Sequence, residues 1–257
     1  MRFRPCIDIH NGKVKQIVGG SLTDNGNTTL ENFVSMQDGK YYAELYKSLG
    51  LYGGHIILLN PASSKFYNDD VNQALLALHA WPNALQIGGG INPDNAKFFL
   101  DNGASHVIVT SYVFSNGDLN MDNLKRLVDA VSKEKLVLDL SCRKRNDGYY
   151  IVTDRWQKFT NYRLTEDLIN DLSCCCSEFL IHAVDAEGKA NGIEKELVRL
   201  MAAAADFPIT YAGGIGSYDD LTSLKTLGQN KLDVTVGSAL EMFGGSLKLD
   251  KILEICS

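Results

Sequence analysis

Two aspartates stand where acid and base chemistry would need them. Asp8 closes the apolar run Pro5-Cys6-Ile7, and Asp139 closes Leu136-Val137-Leu138. A carboxylate that follows buried aliphatic residues sits at the C-terminal end of a strand, and in parallel α/β folds that end carries the ligand crevice. Either one alone would serve as a cap for neighbouring donors. As a pair across one crevice they suit a reaction that moves protons within a single substrate, because one group gives a proton while the other takes one.

A doubled glycine element supplies the second chemistry. Gln86-Ile87-Gly88-Gly89-Gly90-Ile91 and Tyr211-Ala212-Gly213-Gly214-Ile215-Gly216 align when Gly89-Gly90-Ile91 is laid on Gly213-Gly214-Ile215, a shift of 124 positions. The next strand follows suit: Val109-Thr110-Ser111 lies over Val236-Gly237-Ser238 at a shift of 127. A strand that ends in Gly-Gly can bring bare backbone N–H groups against phosphate oxygens, and the helix that follows adds partial positive charge. The repeat therefore predicts two phosphate cradles, one from Gly89, Gly90, Thr110 and Ser111, the other from Gly213, Gly214, Gly237 and Ser238. Two cradles on opposite rims imply an elongated small molecule with a phosphate at each end.

Eight strand and helix units would position these groups. Strand patterns begin near Pro5, His55, Leu85, His106, Leu136, Phe179, Ile209 and Val234. Between them run helix patterns over Asp70 to His79, Asn95 to Asn102, Asn123 to Ser132, Glu166 to Cys175, Glu194 to Ala204 and Leu221 to Leu227. Asn92-Pro93-Asp94, Asp122 and Ser217 offer caps. Alternation of this kind favours a parallel α/β fold, and eight units in 257 residues favour closure into a (β/α)8 TIM barrel. Asp8 and Asp139 are 131 positions apart, close to the glycine shift, so residues 1–257 read as one domain made of two half-barrels, about 1–125 and 126–257. The polar stretch from Ser21 to Lys40 follows the first strand and reads equally as a substrate lid or an idle loop.

Composition removes several classes. A net charge of -6 gives no general pull toward nucleic acid or an anionic membrane. No run approaches the length of a membrane span and no signal-peptide core precedes the first strand, so a cytoplasmic location is expected. The six cysteines form no Cys-x-x-Cys pair and read as reduced, Cys174 to Cys176 packing at a helix end. Of the five histidines, none forms a metal pair. His55, His79 and His106 read as structural, the first and last at strand starts, whereas His10 and His182 fall near the catalytic mouth as orienting or polar contacts. No metal, cofactor or obligatory protein partner is expected, and a monomer suffices.

Cys6-Ile7-Asp8-Ile9-His10-Asn11-Gly12-Lys13-Val14, the two Gly-Gly-Ile elements, Val137-Leu138-Asp139 and Val236-Gly237-Ser238-Ala239-Leu240 together resemble the barrel isomerases of histidine biosynthesis, the phosphoribosylformimino-aminoimidazole carboxamide ribotide isomerases. The resemblance spans almost the whole chain. It is closest to the fungal and plant branch, which includes Phe179-Leu180-Ile181-His182-Ala183-Val184-Asp185. It implies an Amadori rearrangement of a bis-phosphorylated aminoaldose to an aminoketose, with no metal or cofactor. By the same resemblance Asp139 is the general acid that helps to open the ribose ring, and Asp8 the base that takes the C2′ proton. Trp156 is the residue that stacks on the planar heterocycle, and Gly19, Gly20 and Ser21 offer backbone contacts to substrate. Two positions depart from the bacterial pattern: Gln16 stands for an arginine and Ala183 for a threonine.

Two rival readings share the scaffold. One is the cyclase subunit of imidazole glycerol phosphate synthase, which resembles this chain in its paired aspartates but carries a lysine at the position of Gln16. The other is a non-catalytic barrel that binds phosphorylated metabolites.

Overall fold

The computed structural model describes residues 1–17, 31–154, 156–204 and 206–257. Among these residues eight parallel strands follow the chain: Cys6–His10, His55–Leu58, Gln86–Gly88, Val107–Val109, Leu136–Asp139, Glu178–His182, Ile209–Ala212 and Asp233–Thr235. The ring closes just ahead of the first strand. Phe3 pairs in parallel with Val234, Arg4 N–H donates to the Val234 carbonyl at 2.7 Å, and Val234 N–H donates to the Arg2 carbonyl at 2.9 Å. A closed ring of parallel strands wrapped by helices is the (β/α)8 barrel that the strand and helix alternation predicts.

Alternation along the strands decides what enters the mouth. Ile108, Val137, Leu180 and Ala212, with Ile57 against them, form a cluster of their own inside the barrel. Their neighbours Ile56, Val107, Leu138, Ile181 and Tyr211 belong to the larger cluster shared with the helices. Because side chains repeat every second residue on one face of a strand, Val137 carries Asp139 inward one layer above it, and Leu180 does the same for His182.

Most elements lie within a few residues of their expected bounds, and the departures have local causes. The helix Met121–Val131 is capped by Asn120, whose side chain accepts from Asn123 N–H at 2.9 Å, so Asp122 belongs to its first turn and is not the cap. Asn92 and Ser217 do cap their helices, Pro93–Asp101 and Tyr218–Leu227, each in a reciprocal capping box. The helix Glu166–Ser173 stops one residue before the cysteine triplet, of which only Cys176 is buried. Helices Gly39–Ser48 and Leu249–Cys256 complete a set of eight among the described residues.

Two antiparallel additions rise from the first and fifth strands. Lys13–Ile17 folds back on Cys6–His10 through the turn Asn11-Gly12, both residues at positive φ, and pairs in turn with Glu31–Val34. That turn is held by Asn60, which accepts from Asn11 N–H at 2.7 Å, and by the buried Asp70, which accepts from Gly12 N–H at 2.7 Å. After the fifth strand, Cys142–Arg145, Gly148–Thr153 and Lys158–Arg163 make a separate three-stranded sheet. Residues 21–30 of the expected lid lie outside the described residues, and 31–40 contribute a strand and the start of a helix.

The opposite end of the barrel is plugged by charge. Arg4 Nε donates to Asp233 at 2.8 Å and its guanidinium lies 3.6 Å from Glu178, which also accepts from Gln86 and Thr210. Every member of this network is nearly buried.

Candidate active site

A cavity of about 310 Å³ occupies the C-terminal mouth of the barrel. Asp8 and Asp139 both line it, as do Gly89, Gly90, Thr110 and Ser111 on one side and Gly213, Gly214, Gly237 and Ser238 on the other. Trp156 and His182 line it too. Gly19, Gly20 and Ser21 lie outside the described residues.

Asp8 is a carboxylate out of its element. Burial, reinforced by the charge of Glu187, raises its pKa to about 7, against the pull of His182 and a hydrogen bond from Gln16. The Gln16 amide donates to Asp8 Oδ2 at 3.4 Å and to Cys6 Sγ at 3.8 Å. Near neutrality such a group is partly ionised and, when ionised, a stronger base than an ordinary carboxylate.

Asp139 is treated in the opposite way. Burial would raise it, but the neighbouring His182 imidazole and two hydrogen bonds from Ser141 prevail, and its pKa lies below the usual carboxylate range. Ser141 gives Asp139 Oδ1 its backbone N–H at 2.8 Å and its hydroxyl at 2.5 Å. Burial lowers His182, yet Asp139, Glu187 and Asp8 together raise it above the ordinary imidazole value. Three aromatic rings meet in the site: Trp156 lies 5.4 Å from His182 at a 46° tilt, and His182 lies 6.1 Å from His55 in an edge contact. Burial, helped by the charge of His182, takes His55 down to about 3, so that ring is neutral.

The glycines have geometric reasons to be glycines. Gly89 and Gly90 have φ of 102° and 69°, Gly213 and Gly214 of 111° and 78°, a region that side chains seldom adopt. A Cβ on Gly89 would run into the backbone of Leu58, and one on Gly214 into the Gly192 carbonyl. One on Gly90 would meet nothing within 4 Å, so that residue faces open space. Each pair is followed by the N-terminus of a capped helix. Among the described residues no lysine or arginine lines the cavity, which leaves backbone N–H groups, hydroxyls and helix termini to meet an anion. No cluster of three or more His, Cys, Asp or Glu side chains that could hold a metal occurs among the described residues.

The family model of the histidine biosynthesis protein matches residues 2–247. The chain belongs to that family.

Relatives within the histidine biosynthesis family agree on the reaction class. A Medicago truncatula protein is 52% identical over 253 residues, which cover 96% of this chain and 79% of that protein. Its name is 1-(5-phosphoribosyl)-5-((5-phosphoribosylamino)methylideneamino)imidazole-4-carboxamide isomerase, chloroplastic. Proteins of the same isomerase name from Neurospora crassa and Saccharomyces cerevisiae are each 44% identical, over 95% and 96% of this chain and 93% and 94% of their own lengths. This member of the family is an enzyme, an isomerase of histidine biosynthesis, and the readings as a cyclase subunit or as a non-catalytic binder give way. No helix among the described residues is long and apolar enough to cross a membrane. The plant relative is named chloroplastic, so the expected cytoplasmic location does not follow from membership.

Four residues of the site escaped the sequence reading. Glu187, pushed up by burial against the pull of His182, lines the cavity from a turn beyond the sixth strand. Ser141 is wholly buried beside Asp139. His55 begins the second strand as expected, but its ring lines the mouth instead of the stability end. Cys6, read only as a reduced thiol, also lines the cavity, its thiol pushed far up by burial. Conversely, His10 is buried and is not part of the cavity lining.

Proposed function

We propose that this chain converts the aminoaldose bisphosphate named for its relatives into the corresponding aminoketose, an Amadori rearrangement in which Asp139 acts as general acid and Asp8 as general base. One observation carries the reading. A single cavity has an aspartate at the end of the first strand, another at the end of the fifth, and a glycine cradle on either side.

In the proposed reaction one phosphate rests on Gly89, Gly90, Thr110 and Ser111, and the other on Gly213, Gly214, Gly237 and Ser238. The ribose between them spans the aspartates. Asp139 protonates the ring oxygen as the C1′–O bond breaks, and the substrate's own nitrogen lone pair forms the imine. Asp8 then removes the C2′ proton, the C2′–H electron pair forms C1′=C2′ while the C1′=N pair returns to nitrogen, and the enaminol collapses to the ketone as its 2′-hydroxyl loses a proton and C1′ takes one. The elevated basicity of Asp8 fits its share of the work. Trp156 stacks on the imidazole carboxamide, and its φ of 67°, unusual for so large a residue, is the kind of strain that a ligand clamp stores.

We also infer that residues 1–257 are one domain of two half-barrels. The matching φ values of the two glycine pairs, the capping box after each and the antiparallel addition after strands one and five all support that repeat.

The test is a direct assay of the purified protein with the aminoaldose bisphosphate, without added metal, ammonia or glutaminase. Conversion to the aminoketose supports the proposal, and a protein that binds the substrate without converting it defeats it.

A further inference from the structure

Asp139 has a difficulty as an acid: its surroundings hold it ionised, and a general acid must have a proton to give. The nearest cationic acid that can supply one is His182. The direct path is too long, since His182 Nδ1 lies 3.8 Å from Asp139 Oδ1, beyond hydrogen-bonding reach.

Ser141 fills the gap. Its Oγ is 2.5 Å from Asp139 Oδ1 and 3.1 Å from His182 Nδ1. The hydroxyl has one proton, and an ionised carboxylate can only accept, so that proton points to Asp139. The oxygen is then the acceptor toward the imidazole, and Nδ1 carries the hydrogen. The directions run one way: Nδ1–H to Oγ, Oγ–H to Oδ1. The residue is also fixed in place. It is fully buried, its carbonyl accepts from Val152 N–H at 2.9 Å, and its own N–H is bound to Asp139. That N–H bond alone would complete an ordinary Asx turn and orient the carboxylate, so the hydroxyl is not needed for orientation.

We propose that Ser141 is a proton relay joining His182 to Asp139. This rests on the reading of Asp139 as the general acid. As the ring oxygen takes a proton from Asp139, Ser141 passes its own to the carboxylate and His182 passes Nδ1–H to Ser141. No protonated Asp139 need accumulate, and the serine ends with the one proton it began with. The cycle closes when the 2′-hydroxyl gives up its proton as the enaminol becomes the ketone, returning it along the same path to His182. Ser141 touches the acid and the imidazole but is not part of the cavity lining, so it is a positioning and relay residue. His182 is faced by Asp139 from the fifth strand, Asp8 from the first, Glu187 from the turn after the sixth and neutral His55 from the second, with Trp156 over its ring. Three carboxyl groups thus favour the charged imidazole that the relay requires.

The experiment compares Ser141→Ala, Ser141→Thr and His182→Gln with the parent, each checked for folding by circular dichroism. In Ser141→Ala, kcat is expected to fall about 10- to 100-fold with KM within about twofold, less than the loss of a whole acid or base because Asp139 remains. The proton inventory in mixtures of light and heavy water is expected to change from curved to linear, because several protons no longer move together. Ser141→Thr keeps the hydroxyl and is expected to restore both. In His182→Gln the basic limb of the kcat–pH profile should move to lower pH, because Asp139 must then carry its own proton.

If Ser141→Ala keeps the parental kcat, or changes only KM with an unaltered inventory, the relay is wrong. Should Ser141→Ala not fold, an unchanged basic limb in His182→Gln sinks the idea by itself. Asp139→Asn separates the two layers. Full turnover in that variant removes the acid assignment, whereas an inactive Asp139→Asn beside an unimpaired Ser141→Ala removes only the relay.

Discussion

Gln16 Nε2 lies 3.4 Å from Asp8 Oδ2, so a neutral amide occupies the place from which a cation would act on the base. A lysine there would stabilise the ionised carboxylate and lower its pKa, by about 1–3 units for an opposite charge at this range. Gln16→Lys is therefore expected to move the acidic limb of the kcat/KM profile to lower pH, and to lower the plateau because the base is weaker. The substrate phosphates titrate identically in both enzymes, so the difference belongs to the protein. An acidic limb that stays in place would disprove the coupling.

Asp8→Asn and Asp139→Asn are each expected to lower turnover by at least ~100-fold, the loss typical of a missing acid or base. Steady-state rates on folded variants decide it. Parental rates in either would remove that residue from the chemistry.

Asp8 also makes a prediction about stability. Its pKa rises from 3.8 in the open chain to about 7 in the fold, so the native state holds this proton more tightly than the unfolded chain does. The linked contribution favours folding below pH ~4 and is lost as pH rises toward ~7, a change of about 2–4 kcal/mol. Asn cannot ionise and escapes that loss. At pH 8 an inactive Asp8→Asn is expected to be more resistant to urea than the parent. Equal midpoints at pH 8 would show that the buried charge costs nothing.

The two members of the first glycine pair should fail differently. Gly89→Ala presses a methyl group to within 2.8 Å of the Leu58 carbonyl carbon, and should cost more than ~2 kcal/mol of stability. Gly90→Ala meets nothing within 4 Å and bears only the left-handed backbone cost of about 1 kcal/mol. Its methyl group projects into space that the proposed phosphate would fill, so KM should rise while the fold holds. A Gly90→Ala enzyme with parental KM would move the phosphate elsewhere.

At the other end of the barrel, Arg4→Met leaves Glu178 buried without its cation and Asp233 with only the largely exposed Arg2. Breaking such a network from one side costs about 3–5 kcal/mol. Denaturant titration should show it, and a loss below ~1 kcal/mol would mean that the plug contributes little.

Much of this site was legible because its signals are local. Asp8 and Asp139 end apolar runs, and the glycine pairs repeat where strands must turn, so both could be read from spacing. Ser141 was not, since its importance comes from a contact with His182, 41 positions away. Glu187 sits in the polar turn Asp185-Ala186-Glu187-Gly188, where nothing in the sequence separates the acid that points inward from the one that pairs with Arg143. His55 misled for a related reason: a strand start belongs to the stability end by rule, yet its ring reaches the mouth beside His182. The sheet from Cys142 to Arg163 escaped because its antiparallel strands stand outside the alternation of eight strand and helix units. The helix Gly39–Ser48 was hidden by the polar stretch before it.

The contact of Trp156 with His182 gives the molecule an optical reporter of its own. Of its two tryptophans, Trp81 lies apart against Tyr52, with ring centres 4.6 Å apart, so the indole beside the imidazole can be isolated by replacing the other. A charged imidazole quenches indole fluorescence more strongly than a neutral one does. The emission of a Trp81→Phe protein therefore tracks the charge of His182 directly, and its midpoint can be followed without turning over a single substrate molecule.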